Sequence, residues 1–288
     1  MKKLITKNFL IYSLPSILSK TLPLLILPIT TKYLSLNDFG YLALFNLCLI
    51  PFNSLSEYGS GYVISSNWFK LNQKQRGELL FSLLIVGSFM TILTILFIGF
   101  ISEKIFSFFV GDSWTQIKPL YPYLLISVIS FIPGKVFESW VIIEQRAILS
   151  SAIKGLQIIL TASTTIMIAI YTQNFKYIII GSVLVGLGIS FIQLVFLIKS
   201  SRMKFVKRYY KLIYSIGFPI FLRSIFNQIR TQFDKFIVVN LFGTGQFALY
   251  SFSGRFNQMF EEFTSSFQKA YQPSIFKGIS NHNLDIKS

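Results

Sequence analysis

The sequence predicts an all-α integral membrane protein of about eight transmembrane helices: one six-helix lobe followed by the first two helices of a second. Three observations lead there. Of 288 residues, 52% are hydrophobic and 13% charged, with mean hydropathy +0.59, where soluble domains carry about 25% charged residues. Apolar residues run on for about 20 positions at a time, the length an α-helix needs to cross hydrocarbon, rather than alternating over about ten as barrel strands do. Basic residues gather in the short connections between these runs, which is the distribution that fixes membrane topology.

The spans are predicted at 9–31, 39–66, 79–101, 119–143, 148–171, 177–198, 212–239 and 246–271. The first follows Lys2, Lys3 and Lys7. It is too long for a signal peptide, contains Lys20 and lacks a small-x-small cleavage site, so it reads as an uncleaved span. Pro15, Pro23, Pro28, Pro51, Pro133 and Pro219 lie inside spans, where proline removes a backbone hydrogen bond and bends the helix. In the fourth span Lys135 and Glu138 are spaced to pair at i,i+3. In the fifth, Lys154 is placed to snorkel to a membrane surface. Trp114, Tyr121, Tyr123, Tyr177, Tyr209 and Tyr210 sit near predicted surfaces and read as interfacial anchors.

With the N-terminus in the cytoplasm, fifteen basic residues fall on inside segments, and outside segments hold Lys32, Lys104, Lys118 and Lys176. That imbalance places both termini in the cytoplasm. Six of the fifteen lie between Lys199 and Lys211, and this stretch divides the chain. Residues 1–198 form the N-terminal lobe, 199–211 a basic cytoplasmic linker, 212–273 a partial second lobe and 274–288 a polar tail. The linker's charge reads first as topological anchoring and second as a contact for anionic membrane lipids. An internal repeat supports the division. Ile11-Tyr12-Ser13-Leu14-Pro15 returns as Ile213-Tyr214-Ser215-Ile216-Gly217-Phe218-Pro219, and Phe39-Gly40-Tyr41-Leu42 as Phe247-Ala248-Leu249-Tyr250. Six spans separate the copies, so both run in one direction, and paired lobes of this kind hold their sites between them. Lys20 then falls near the counterpart of Arg223.

The formal net charge of +16 would suggest nucleic acid in a soluble domain; here it is a topology signal, and no nucleic-acid partner is expected. The single cysteine, Cys48, excludes an internal disulfide, and His282 is the one histidine, so neither a metal site nor a cofactor is indicated. There is no Walker-type loop, HExxH or GxSxG, and the chain reads as a non-enzyme. A membrane polymerase would need a large outside loop, and the longest outside segment, 102–118, is short.

The seventh span carries the strongest constellation. Arg223, Asn227, Arg230 and Asp234 step by 4, 3 and 4, which at 100° per residue keeps them within about 60° of one another. Phe218, Phe221, Ile225, Ile229 and Phe236 take the other side. Fourteen apolar residues at about −0.5 kcal/mol each do not offset four charges at about +3 each, so the stripe is expected to face protein or a water-filled cavity. Arg230 and Asp234 are spaced to pair at i,i+4. The eighth span repeats the pattern with Ser251, Arg255, Gln258, Glu262 and Lys269, the second with Asn46, Asn53, Glu57 and Ser60, and the first with Ser16 and Lys20. Four one-sided helices suggest a hydrated cavity with excess cations. Asp234, Glu57 and Glu262 are the acidic residues for ion coupling or charge balance.

Leu34-Ser35-Leu36-Asn37-Asp38-Phe39-Gly40-Tyr41 resembles the short outer loop and second-helix start of polysaccharide (O-antigen) flippases in the multidrug/oligosaccharidyl-lipid/polysaccharide, or MATE-like, superfamily. Gly217-Phe218-Pro219, Asp234-Lys235, Leu241-Phe242-Gly243 and Phe247-Ala248-Leu249-Tyr250 resemble the start of that family's second lobe. The resemblance implies two lobes around a central cavity, and movement of an undecaprenyl-pyrophosphate-linked oligosaccharide across the bacterial cytoplasmic membrane, alongside other polysaccharide assembly proteins. Arg223, Arg230, Asn227, Lys20 and Arg255 would hold the substrate, since guanidinium forks suit phosphate. Two departures stand out. The family typically has twelve or more spans, so eight imply a truncated member, and Ser65-Ser66-Asn67 stands where relatives often carry a basic residue. A multidrug or cation antiporter of the same superfamily and a non-functional truncated flippase are the alternatives.

Overall fold

The computed structural model describes residues 2–204 and 206–285. Among these every regular element is helical. In chain order they are α1 (Lys2–Thr30), α2 (Leu36–Glu57), α3 (Ser60–Asn67), α4 (Gln73–Val110), α5 (Trp114–Ile117), α6 (Tyr121–Ile129), α7 (Phe131–Ile143), α8 (Ala147–Thr172), α9 (Phe175–Ser200) and α10 (Lys207–Asp285). Six described stretches are long and apolar enough to cross a membrane: Phe9–Thr30, Gln73–Leu96, Trp114–Ile143, Ala147–Thr172, Phe175–Ser200 and Lys207–Arg255. The chain is an all-helical, multi-pass membrane protein.

The helix ends differ from the predicted spans in ways that local chemistry explains. The second span is divided, because Tyr58 (φ 41°) and Gly59 (φ 65°) take left-handed backbone between α2 and α3. The fourth begins earlier, at α5, and is broken at Ser130, whose hydroxyl donates to the Ser127 carbonyl at 2.7 Å. Between α9 and α10 only 201–206 lies outside helix; Lys199 closes one helix and Lys207, Arg208 and Lys211 open the next. The expected polar tail is helical as far as Asp285. Connections are closed by reciprocal caps, Ser35 with Asp38 on α2 and Asn72 with Gln75 on α4, which satisfy amides that the first helical turn leaves open.

The 79-residue α10 is two rods joined at Gly243, whose φ of 77° and ψ of 177° are not helical. Tyr250 donates a short hydrogen bond to Asp234 across this break, so the second rod returns antiparallel to the first. The rods correspond to the seventh and eighth spans of the sequence reading. The bundle therefore has a basic end, with the connections at 68–72, 144–146 and 201–206, and an opposite end, with those at 31–35, 173–174 and 243.

Each end has its own apolar core. Trp68, Leu79, Val136, Trp140 and Ile213 pack at the basic end; Phe45, Phe52, Trp114, Ile117, Leu124 and Phe247 pack at the other. Two residues expected as surface anchors are in fact core. Tyr209 is buried, and Trp114 is buried with its ring stacked on Phe106 at 5.3 Å, because the short α5 turns it inward. Tyr177 and Tyr210 are exposed. Several inside cations also have structural duties. Arg76 donates to the Trp68 and Leu71 carbonyls at 2.9 and 3.0 Å, and Arg146 pairs with Glu144 at 2.7 Å while lying 4.7 Å over Trp140.

Where neighbouring helices are as apolar as lipid, association depends on close approach at small residues. The seam between α2 and α10 is built that way at both ends. A Cβ at Gly40 would overlap the Thr244 carbonyl, and one at Gly217 would lie 2.6 Å from the Tyr58 carbonyl oxygen. Thr244 also donates to Asn37 Oδ1 at 3.3 Å. Gly40→Ala and Gly217→Val are therefore expected to lower the thermal unfolding temperature in detergent, in the overpacking range of about 1–3 kcal/mol. Gly155→Ala, where nothing lies within 4 Å, is expected to be neutral or mildly stabilising; equal shifts for all three would refute the seam.

Candidate functional site: a cavity floored by cations

Helices α1, α2, α8 and α9 and the second rod of α10 enclose a cavity of about 780 Å³, within the roughly 300–1,000 Å³ usual for ligand sites. Its floor, toward the basic end, carries Lys20 of α1, Lys154 of α8 and Arg255 of α10. Lys20 Nζ donates to Gln258 Oε1 at 3.3 Å and Lys154 Nζ to Ser16 Oγ at 2.9 Å. Arg255 is half-buried, and its guanidinium has no hydrogen-bond or ion-pair partner among the described residues. None of the described lining residues is acidic. Three cations on low-dielectric walls focus a positive potential in the cavity, which can do one thing well: hold an anion.

The walls are unlike one another. The α1 side is largely apolar, with Leu22, Pro23, Ile26 and Leu27; the α8 side presents Gln157, Thr161 and Thr165. The cavity reaches the opposite end of the bundle at Thr31 and Leu36. Below the floor it is shut. Lys269 of α10 pairs with Glu138 of α7 at 2.6 Å, Gln272 donates to Ser65 Oγ at 2.7 Å, and Phe9 meets Phe263 edge-on at 5.4 Å. Ser151 donates to the Ile11 carbonyl at 2.6 Å.

The structure brings Lys20 and Arg255, both singled out from sequence, to one site. It does not bring the others there. Arg223, Asn227, Arg230 and Asp234 share one exposed face of the first rod of α10, outside the cavity. The expected Arg230–Asp234 pair is replaced by local choices: Arg230 donates to Asn227 Oδ1 at 3.1 Å, and Asp234 accepts from Tyr250. The expected Lys135–Glu138 pair gives way to Lys269, which arrives from another helix, with Lys135 and Lys154 also near the carboxylate. The side chains of Glu57 and Glu262 lie outside the described residues. Lys154 is a floor residue rather than a snorkelling one. A signal for it existed, since Lys154, Gln157, Thr161 and Thr165 step by 3, 4 and 4, the same arithmetic that marks one face of a helix.

A model of the family described as "Polysaccharide biosynthesis protein" matches residues 5–278. No curated protein sequence matches the chain. Among solved structures the fold is similar to a mutant of the Vibrio cholerae MATE transporter VcmN, at 13% identity and TM-score 0.73, covering 96% of this chain and 66% of that one. A MOP superfamily transporter from Pyrococcus furiosus is similar at 14% identity and TM-score 0.64, covering 95% and 65%. An outward-facing multidrug resistance MATE family transporter gives 14%, 0.61, 96% and 71%. The chain spans about two thirds of the first of these structures, and at such identities the likeness is one of fold.

The Glu138–Lys269 pair ties the returning rod of α10 to α7 beneath the floor. Glu138→Lys and Lys269→Glu are each expected to lower thermal stability by setting like charges against each other, and the double reversal is expected to recover part of the loss, since a lysine at 138 still faces Lys135 and Lys154. Simple addition of the two losses would show that the pair has no coupling energy.

Proposed function

The chain belongs to the polysaccharide biosynthesis protein family, and from that membership and the basic cavity we propose that it is a flippase. It moves an undecaprenyl-pyrophosphate-linked oligosaccharide, an O-antigen or capsule repeat unit, across the bacterial cytoplasmic membrane. The observation that carries this reading is the floor, where Lys20, Lys154 and Arg255 converge on one cavity. A diphosphate is the part of such a substrate that needs this. Arg255 supplies a planar fork and the lysines supply point charges, while the polyprenyl tail stays in the bilayer. With both termini in the cytoplasm, as the loop charges suggest, the floor lies toward the cytoplasm and the described state opens outward.

On this reading Arg223, Asn227 and Arg230 form a second basic surface along the substrate's path, since charges of this kind do not rest against acyl chains. Asp234, Glu57 and Glu262 balance charge or couple movement to an ion gradient. Other polysaccharide assembly proteins would supply and consume the lipid-linked unit. An antiporter of organic cations is disfavoured by the sign of the cavity. Pocket polarity separates functions elsewhere in this fold: the Pyrococcus furiosus structure is described as having a binding pocket of reverse polarity, suggesting a different function.

The test is complementation of a strain whose surface polysaccharide depends on this chain. Each charged hydrogen bond is worth about 1.5–3 kcal/mol, so losing two costs about a hundred-fold or more in affinity. Lys20→Ala with Arg255→Ala is expected to abolish surface polymer while the protein remains in the membrane at its normal level. Arg223→Ala with Arg230→Ala is expected to reduce it strongly. Full polymer in the first double variant refutes the floor as the diphosphate site, and chain-dependent resistance to cationic dyes supports the antiporter instead.

A further inference from the structure

The cavity holds more polar atoms than a diphosphate needs. Lys154, Gln157, Thr161 and Thr165 lie along one face of α8, and from the first to the last they climb about 16 Å above the floor at 1.5 Å per residue. The side chains of Gln157 and Thr161 make no hydrogen bond among the described residues. Across from them, Ser251 Oγ is buried without a partner, and Asn46 donates to the Leu42 carbonyl at 3.0 Å, which leaves its amide oxygen open. An unpaired buried hydroxyl such as that of Ser251 is costly unless a ligand satisfies it, and the open amides and hydroxyl beside it can bond the same ligand. The opposite wall is apolar and includes Leu22, Pro23 and Ile26. A cavity with a hydrogen-bonding side, an apolar side and an anion site beneath suits a pyranose, which carries hydroxyls at its edges and C–H groups on its faces.

We infer that the α8 wall, Gln157, Thr161 and Thr165, together with Asn46 and Ser251, reads the sugars next to the diphosphate and so determines which glycan the cavity accepts. This rests on the flippase reading and adds to it a division of labour. Cations at the floor grip the part common to every lipid-linked glycan, and neutral donors and acceptors above them discriminate. Discrimination is strong when a missing partner leaves a buried polar group unsatisfied; Ser251 Oγ is in that condition, while Gln157 and Thr161 offer open donors and acceptors to a ligand in the cavity.

The experiment is site-specific photocrosslinking in cells whose surface polysaccharide depends on this chain. Ile158→p-benzoylphenylalanine places the probe on the cavity side of α8 beside the polar stripe, Ile159→p-benzoylphenylalanine on its exposed side, and Phe252→p-benzoylphenylalanine next to the floor. Mass spectrometry of the adducts is expected to find sugar-bearing polyprenyl diphosphate at 158 and 252, and none at 159. Adding Gln157→Leu and Thr161→Val, which remove polar atoms with little change in volume, is expected to cut the glycan adduct at 158 at least ten-fold. Sugar-bearing lipid at 252 with none at 158, or an undiminished yield at 158 in the double variant, overturns the sugar wall and leaves the flippase reading standing. Only glycerophospholipid adducts at both cavity positions overturn both.

Discussion

The close backbone packing of α2 against α10 is the constraint on which the rest depends. In a bilayer there is little hydrophobic gain in pressing one apolar helix onto another, so the approach must come from missing side chains. Gly40 at one end of the seam, and Gly59 with Gly217 at the other, allow it. Because the first rod of α10 is held at both ends, the second rod is held too, through the tight return at Gly243 and the Tyr250–Asp234 bond. That return sets Arg255 across the cavity from Lys154. Glycines that touch nothing chemical thus decide where the guanidinium stands.

The electrostatics follow from this arrangement. Lys20 donates to Gln258 and Lys154 to Ser16, contacts that fix where the two ammonium groups stand. Below the floor the Glu138 carboxylate is engaged by Lys269. Its pairing joins α7 to the returning rod of α10 at the basic end.

Much of the fold was legible in the sequence, because burial in a membrane leaves long uninterrupted apolar runs. What the runs could not show is where a helix is locally interrupted. Tyr58 and Gly59 break the second span through left-handed backbone, and no apolar average registers two residues. Trp114 and Tyr209 were misjudged for a related reason: aromatic residues near a predicted surface do anchor there, but a four-residue turn, α5, folds the tryptophan into the core. For the site, periodicity groups polar residues by helix face and says nothing about which neighbours a face meets. Lys20 and Arg255 face the cavity, the equally regular Arg223–Arg230 stripe does not, and the Lys154–Thr165 stripe was passed over because only one of its members is charged. Ion pairs were the least legible. Sequence spacing proposes partners on the same helix, whereas Glu138 found Lys269 on another, separated by 131 positions.

Gly243 also settles a matter of parity. Run straight, the 79 residues of α10 would reach about 120 Å, roughly four times the thickness of a bilayer's hydrocarbon. One glycine, at a φ that side chains rarely tolerate, folds that length into two antiparallel rods. The rod from Thr244 to Asp285 runs back toward the end of the bundle where α10 set out. Restoring helical geometry at that single residue would send the remainder of the chain off in the wrong direction, and the cavity would lose an entire side.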